Sequence, residues 1–168
     1  MNLYEEYNEA LDRATELGYP VSVPLKLVSK GQSWAGVCYY EELSDPYGLR
    51  ATSIAINEVM FDYLGLDEAR DTIRHEVAHA ICINYLYDDS HGEDWKHLAS
   101  QMGAKPTPTL PGNTPGLGEY NRSVSRYEVV CDCDTYFFKR MSKHLKIVRD
   151  NKNAICRTCR RRYELIYL

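Results

Sequence analysis

The stretch Thr72-Ile-Arg-His-Glu-Val-Ala-His-Ala-Ile-Cys82 decides how the rest of the chain is read, because His75, Glu76 and His79 spell His-Glu-x-x-His inside it. Residues four apart share one face of an α-helix, so both imidazoles can reach a single metal ion, with Glu76 beside it. Two imidazoles suit zinc, and a neighbouring carboxylate suits a general base that acts on a metal-bound water. Random placement of 5 His and 13 Glu among 168 residues gives this pattern roughly one per cent of the time. The bland alternative is an amphipathic helix with two solvated histidines. Ile73, Val77, Ala80 and Ile81 argue against it, because they make the rest of the helix surface mostly apolar. A helix packed in a core needs a partner for a buried His-Glu-His face.

A catalytic zinc takes three protein ligands and keeps one position open. Patterns that place the third His six residues after the second are excluded, because residue 85 is Tyr. The next histidine is His91, in Asp88-Asp-Ser-His-Gly-Glu-Asp-Trp95. A helix ending near Tyr87 followed by a short turn brings His91 back towards the metal. Asp88, Asp89 and Glu93 are rival ligands, although Asp88 and Asp89 also read as a helix-ending turn.

His75-Glu-Val-Ala-His79, then His91-Gly-x-x-Trp95, then a helix ending Met102-Gly-Ala-Lys-Pro106, together resemble the SprT-like metalloprotease domain. That family includes the bacterial SprT proteins and Spartan, the eukaryotic DNA–protein crosslink protease. The resemblance covers about residues 1–105 and extends to a cysteine-rich tail. It implies His75, His79 and His91 as zinc ligands, Glu76 as the catalytic base, and Trp95 as a support behind His91. It also implies cleavage of proteins attached to DNA with little sequence preference.

The wider composition fits a soluble globular chain: 44% hydrophobic and 26% charged residues, and no run of transmembrane length. The acidic start Met1-Asn-Leu-Tyr-Glu-Glu lacks the basic and apolar regions of a secretory leader. The expected location is therefore cytoplasmic, or nuclear in a eukaryote, with no secretion and no membrane partner; the oligomeric state is left open, with a monomer favoured. Six cysteines suit a reducing compartment. Cys131-x-Cys133 and Cys156-x-x-Cys159 read as a second, structural zinc site, while Cys38 and Cys82 read as small core residues. The resemblance includes a His between the two cysteine pairs, here His144, which can replace one of the thiolates.

The expected fold is α+β: a zincin-like core of helices on a small antiparallel sheet, followed by a small β-rich zinc ribbon. The periodicity predicts an amphipathic helix over residues 2–17, stopped by Gly18. Strands are predicted over residues 21–28, 34–40 and 51–57, with a turn at 30–33. Residues 53–57 are expected to form the cleft edge on which an extended substrate could pair. Asp67 is the predicted N-cap of a metal helix over residues 68–87, and a second helix covers 93–102, closed by Gly103 with His97 facing solvent. Four Pro and three Gly in residues 105–118 mark a boundary, either a flexible linker or a strap along the cleft. The expected domains are a protease domain over residues 1–105, a linker over 106–118 and a basic ribbon over 119–168, with short strands at 127–133, 135–139 and 163–167.

Charge is divided along the chain. Residues 1–118 carry 8 Lys/Arg and 18 Asp/Glu, while residues 119–168 carry 12 and 6. A basic end on an acidic body suggests an anionic partner for that end. Lys139, Arg140, Lys143, Lys146, Arg157, Arg160, Arg161 and Arg162 are interleaved with Tyr136, Phe137, Phe138 and Tyr163. That mixture suits phosphate contacts and base stacking on single-stranded or junction-containing DNA. The plain alternative is a solvated basic face. The leading expectation is a zinc-dependent endopeptidase with one catalytic and one structural zinc, acting on a DNA-associated protein substrate. A non-catalytic zinc-containing nucleic-acid-binding protein, or a protease aimed at one regulatory protein, is the alternative.

Overall fold

Leu3, Tyr7, Ala10 and Ala14 fall on one stripe at helical spacing, and they are the buried face of α1 (Leu3–Glu16). Asn2 caps its start, and Gly18, at φ 87°, turns the chain after its end. The computed structural model describes residues 2–29, 32–44, 48–150 and 154–168, with the His144 side chain also outside the described part. The turn expected at 30–33 lies partly outside those residues. The chain divides into two compact units, Met1–Pro115 and Gly116–Leu168.

In the first unit, strands β1 (Leu25–Leu27), β2 (Gly36–Glu42) and β3 (Leu49–Ile56) form a sheet in the order β1-β3-β2. The strands are shorter or shifted relative to the expected ranges. The sheet is also mixed and not antiparallel throughout: β2 runs antiparallel to β3, but β1 runs parallel to it. A bulge between Tyr39 and Tyr40 shifts the β2–β3 register.

Asn57 does not continue the strand but caps α2 (Glu58–Leu64), a helix the sequence reading did not anticipate. The metal helix α3 (Leu66–Ile81) begins at Gly65, not at Asp67. Gly65 ends α2 and starts α3 at φ 88°, a conformation glycine takes without strain. Asp67 and Glu68 therefore lie in the first turn, where negative charge complements the helix dipole. The α-helix also stops sooner than expected and passes into a single π turn, Cys82–Leu86, ending on Tyr87 at φ 56°. Within that turn, Asn84 Oδ1 accepts from the Ala51 N–H at 2.8 Å, next to the β-bulge.

Helix α4 (Glu93–Met102) has the expected bounds and ends at Gly103 in the left-handed region. His97 is exposed, as expected. Ile54, Ile56, Phe61, Ile73, Val77, Ile81, Trp95 and Leu98 form the centre of one core. Cys82 is fully buried among them, which bears out its reading as a core residue.

The second unit begins with α5 (Leu117–Val124), also unanticipated. It continues with β4 (Tyr127–Cys131), β5 (Asp134–Phe138), α6 (Lys143–Asp150) and β6 (Glu164–Tyr167). The sheet is antiparallel with β4 central, in the order β5-β4-β6. No helix among the described residues is long and apolar enough to cross a membrane.

Candidate metal centres and cleft

Helix α3 places His75 and His79 one turn apart, and the turn after Tyr87 returns His91 to them. Their Nε2 atoms converge: His79 and His91 are 3.0 Å apart, and His91 and His75 are 3.2 Å apart. Tetrahedral zinc with Zn–N bonds of about 2.0–2.1 Å spaces its nitrogens by about 3.3 Å, so this donor set fits one zinc ion. Burial lowers the His75 pKa to about 4 and that of His79 to about 3, with the neighbouring imidazoles adding to the effect. His91 is lowered by burial as well. The lowered values favour the neutral ring, the form that ligates a metal.

The rival oxygen ligands are committed elsewhere. Asp88 Oδ1 accepts from the Ser90 N–H at 2.8 Å, forming the turn that carries His91. Asp89 accepts the Tyr40 hydroxyl, and Glu93 pairs with Lys96 at 2.7 Å. Trp95 lies against all three rings, stacked on His79 at 5.2 Å and edge-on to His75 and His91 at 4.6 and 4.5 Å. Trp95 is fully buried and backs all three imidazole rings.

Glu76 is buried between α3 and β2. Burial pushes its carboxyl pKa up to about 8, opposed by a hydrogen bond from the Cys38 backbone N–H. Gly36, Val37, Cys38 and Tyr40 of β2 line the same cleft as His75, Glu76, His79 and His91, together with Asp89 and Pro108. The cleft strand is therefore β2. The expected edge at residues 53–57 is overturned, because β3 has a strand on each side. Pro108 shows that the Pro-rich segment borders the cleft. Cys38 lines it too, its thiol pushed up to about 12 by burial, so it is not simply a core residue. The sequence reading singled out none of Gly36, Tyr40 and Pro108, since only strand pairing brings them to the histidines.

In the second unit, Cys131, Cys133, Cys156 and Cys159 place their sulfurs within 4.8 Å of one another. Cys131 and Cys133 Sγ are 3.4 Å apart, and Cys133 and Cys156 Sγ are 3.6 Å apart. These distances far exceed a disulfide bond and approach the roughly 3.8 Å between thiolates on tetrahedral zinc. The backbone N–H groups of Cys159 and Thr158, with the Tyr163 hydroxyl, pull the Cys156 thiol down. Four converging sulfurs fit a closed zinc site. The His144 alternative falls outside the described side chains.

Of the basic residues expected at a nucleic-acid surface, Arg140, Lys143, Lys146, Arg157, Arg160, Arg161 and Arg162 are exposed, and Lys139 is half-buried. Arg161 pairs with Asp132 at 3.2 Å.

The model of the SprT-like family matches residues 1–115. Among curated relatives, the chain is similar to Protein SprT of Pseudomonas entomophila (strain L48), 34% identical over 98 residues, and of Pseudomonas putida (strain GB-1), 30% identical over 97 residues. Each match covers 56% of both chains. A third, Protein SprT of Pseudomonas syringae pv. tomato, is 28% identical over 115 residues, 67% of each chain. The chain thus matches little more than half the length of the first two. No solved structure matches it.

Proposed function

The chain belongs to the SprT-like family, and from that premise we propose that it is a zinc-dependent endopeptidase acting on proteins bound or crosslinked to DNA. One observation carries the reading: three imidazole nitrogens converge beside a buried carboxylate in a cleft walled by a strand edge. His75, His79 and His91 would hold the ion. When bound, zinc supplies a Lewis acid that polarises the scissile carbonyl and acidifies a water.

Glu76 takes the proton of the attacking water and returns it to the leaving amine. Its burial keeps its proton affinity high, which suits a base working near neutral pH. Gly36 and Cys38 of β2 wall the carboxylate. Tyr40, oriented by Asp89, is the phenol available to the developing oxyanion. The outer edge of β2 can receive an extended chain by main-chain pairing, which discriminates little between side chains. Such a cleft accepts unrelated proteins, and selectivity must then come from elsewhere.

We assign that selectivity to the basic unit. Residues 119–168 act as a zinc ribbon held by the four cysteines, joined through residues 106–118 to the protease domain. Lys139, Arg140, Lys143, Lys146, Arg157, Arg160, Arg161 and Arg162 contact phosphates there, which localises cleavage to DNA-bound substrates.

The test compares the wild type and Glu76→Gln on a protein bound to single-stranded DNA, with zinc counted by elemental analysis. Glu76→Gln is expected to keep two zinc ions and unchanged DNA affinity while its rate falls about 10²–10⁴-fold. DNA affinity should fall steeply with salt. Near wild-type cleavage by Glu76→Gln would overturn the mechanism. No DNA affinity at low salt would overturn the substrate assignment.

A further inference from the structure

A glycine inside a strand weakens it unless something must come close. Gly36 opens β2 and pairs with Ile56 of β3. Its φ is not in the left-handed region, so backbone conformation does not call for glycine there. Space does. A Cβ at Gly36 would stand 2.7 Å from Thr72 Cγ2, 2.8 Å from Glu76 Cγ and 2.9 Å from Glu76 Oε1. Thr72 and Glu76 are one helical turn apart on α3, and both are buried. Neither can swing into solvent to admit a methyl group. Two residues along β2, Cys38 lines the same cleft as Glu76, and its backbone N–H pulls the Glu76 carboxyl down against burial. The close approach of strand to helix therefore falls on the Glu76 side chain itself.

We propose that Gly36 is a positioning residue for Glu76: its missing side chain lets β2 close on α3 and hold the Glu76 carboxylate in place against the strand. This rests on the reading of Glu76 as the base. A side chain at residue 36 pushes the carboxylate aside or lifts the strand, and either movement changes the surroundings of the Cys38 amide on the same strand. A general base displaced by about 1 Å loses on the order of 10²-fold in rate.

The test uses the full-length, zinc-loaded chain. Gly36→Ala is expected to keep its zinc and lower kcat about 100-fold with KM little changed. The Cys38 amide proton, followed by NMR, should move upfield and exchange faster with solvent. Thr72→Ser removes the methyl nearest the new Cβ, so Gly36→Ala/Thr72→Ser should recover at least about tenfold in kcat and restore the Cys38 amide signal, on the same scale of misplacement. In the Glu76→Gln background, Gly36→Ala should cost nothing further, because residues that act as a unit are not additive. Should Gly36→Ala alone not fold, the comparison of Gly36→Ala/Thr72→Ser with Thr72→Ser carries the same test. An unchanged Cys38 amide, or a full further loss in the Glu76→Gln background, overturns the proposal. If the loaded wild type cleaves nothing, the proposed function fails by itself, and the Cys38 amide still decides whether Gly36 positions Glu76.

Discussion

The two ligand clusters are put together in opposite ways. His75 and His79 sit on a helix whose other face, Ile73, Val77 and Ile81, is fully buried, with Trp95 beneath the rings. The first unit has an extensive apolar core. Cys131, Cys133, Cys156 and Cys159 instead lie at a strand end and in turns. Among the described residues, the buried apolar side chains of the second unit are Tyr120, Val129, Cys131, Leu145 and Cys156. Two of those five belong to the cysteine cluster. On the zinc sites proposed above, the fold would make the site in the first unit, whereas in the second the site would make the fold.

Metal removal probes that contrast most strongly. Stripping zinc, or the change Cys156→Ser, should unfold residues 116–168, since structural zinc supplies on the order of 10 kcal/mol to such modules. The dispersed NMR signals of β4, β5 and β6 should collapse while those of α1 and α3 persist. His75→Ala, in contrast, should lose one zinc and leave both units folded. A second unit that stays folded without metal would break the comparison.

A smaller effect tests whether the first unit stands on its own contacts. Glu6 accepts from Arg70 Nε at 2.6 Å, and its side chain is only 10% exposed. The Arg70 guanidinium holds the Glu6 carboxyl below its ordinary value, against burial. A folded pKa below the unfolded one contributes stability that is present above the unfolded value, about 4.3, and is lost as pH falls through the folded value. Glu6→Gln should therefore cost the first unit about 1 kcal/mol at pH 7, the range of a charged hydrogen bond reduced for the one-third exposed Arg70. It should also flatten stability against pH below about 5. Thermal unfolding between pH 3 and 7, with and without chelator, checks both statements. The Glu6→Gln cost should not depend on zinc.

How far these features were legible in the sequence follows from the range of the forces involved. Helical spacing and turn residues are local signals, so α1, α4 and the pairing of His75 with His79 could be read directly. The converging cysteine pairs were equally plain. Helix α2 was lost because Asn57 reads as the end of a strand, although its side chain is a helix cap. The start of α3 was misplaced because Asp67 is a better cap by type than Gly65. The order of the strands is not written in any one of them. Residues 53–57 look like an edge until β1 and β2 are seen on either side. Gly36, Tyr40 and Pro108 reach the cleft by pairing and packing over long sequence separations, and no spacing rule announces that.

Each cluster also adjoins a non-glycine residue in the left-handed region, Tyr87 at φ 56° before His91 and Arg160 at φ 60° after Cys159. An L-residue there costs roughly 1–2 kcal/mol, which glycine avoids while losing part of the gain to its greater freedom when unfolded. Tyr87→Gly and Arg160→Gly should thus each stabilise their unit by about 0.5–1 kcal/mol. The two should diverge in zinc affinity. Where metal binding and folding are one equilibrium, relieved strain appears as tighter binding, so Arg160→Gly should raise the affinity of the cysteine site about two- to fivefold. Where the site is already folded, relief at Tyr87 is the same with and without metal, and affinity at the histidine site should not move. Arg160→Ala removes the charge but keeps the strain, and it separates backbone relief from any loss of DNA contact. Competition with a zinc chelator, done on all three variants, measures the affinities. Equal tightening at both sites would mean that the histidine cluster is also assembled by its metal, and the distinction between the two regions would fail.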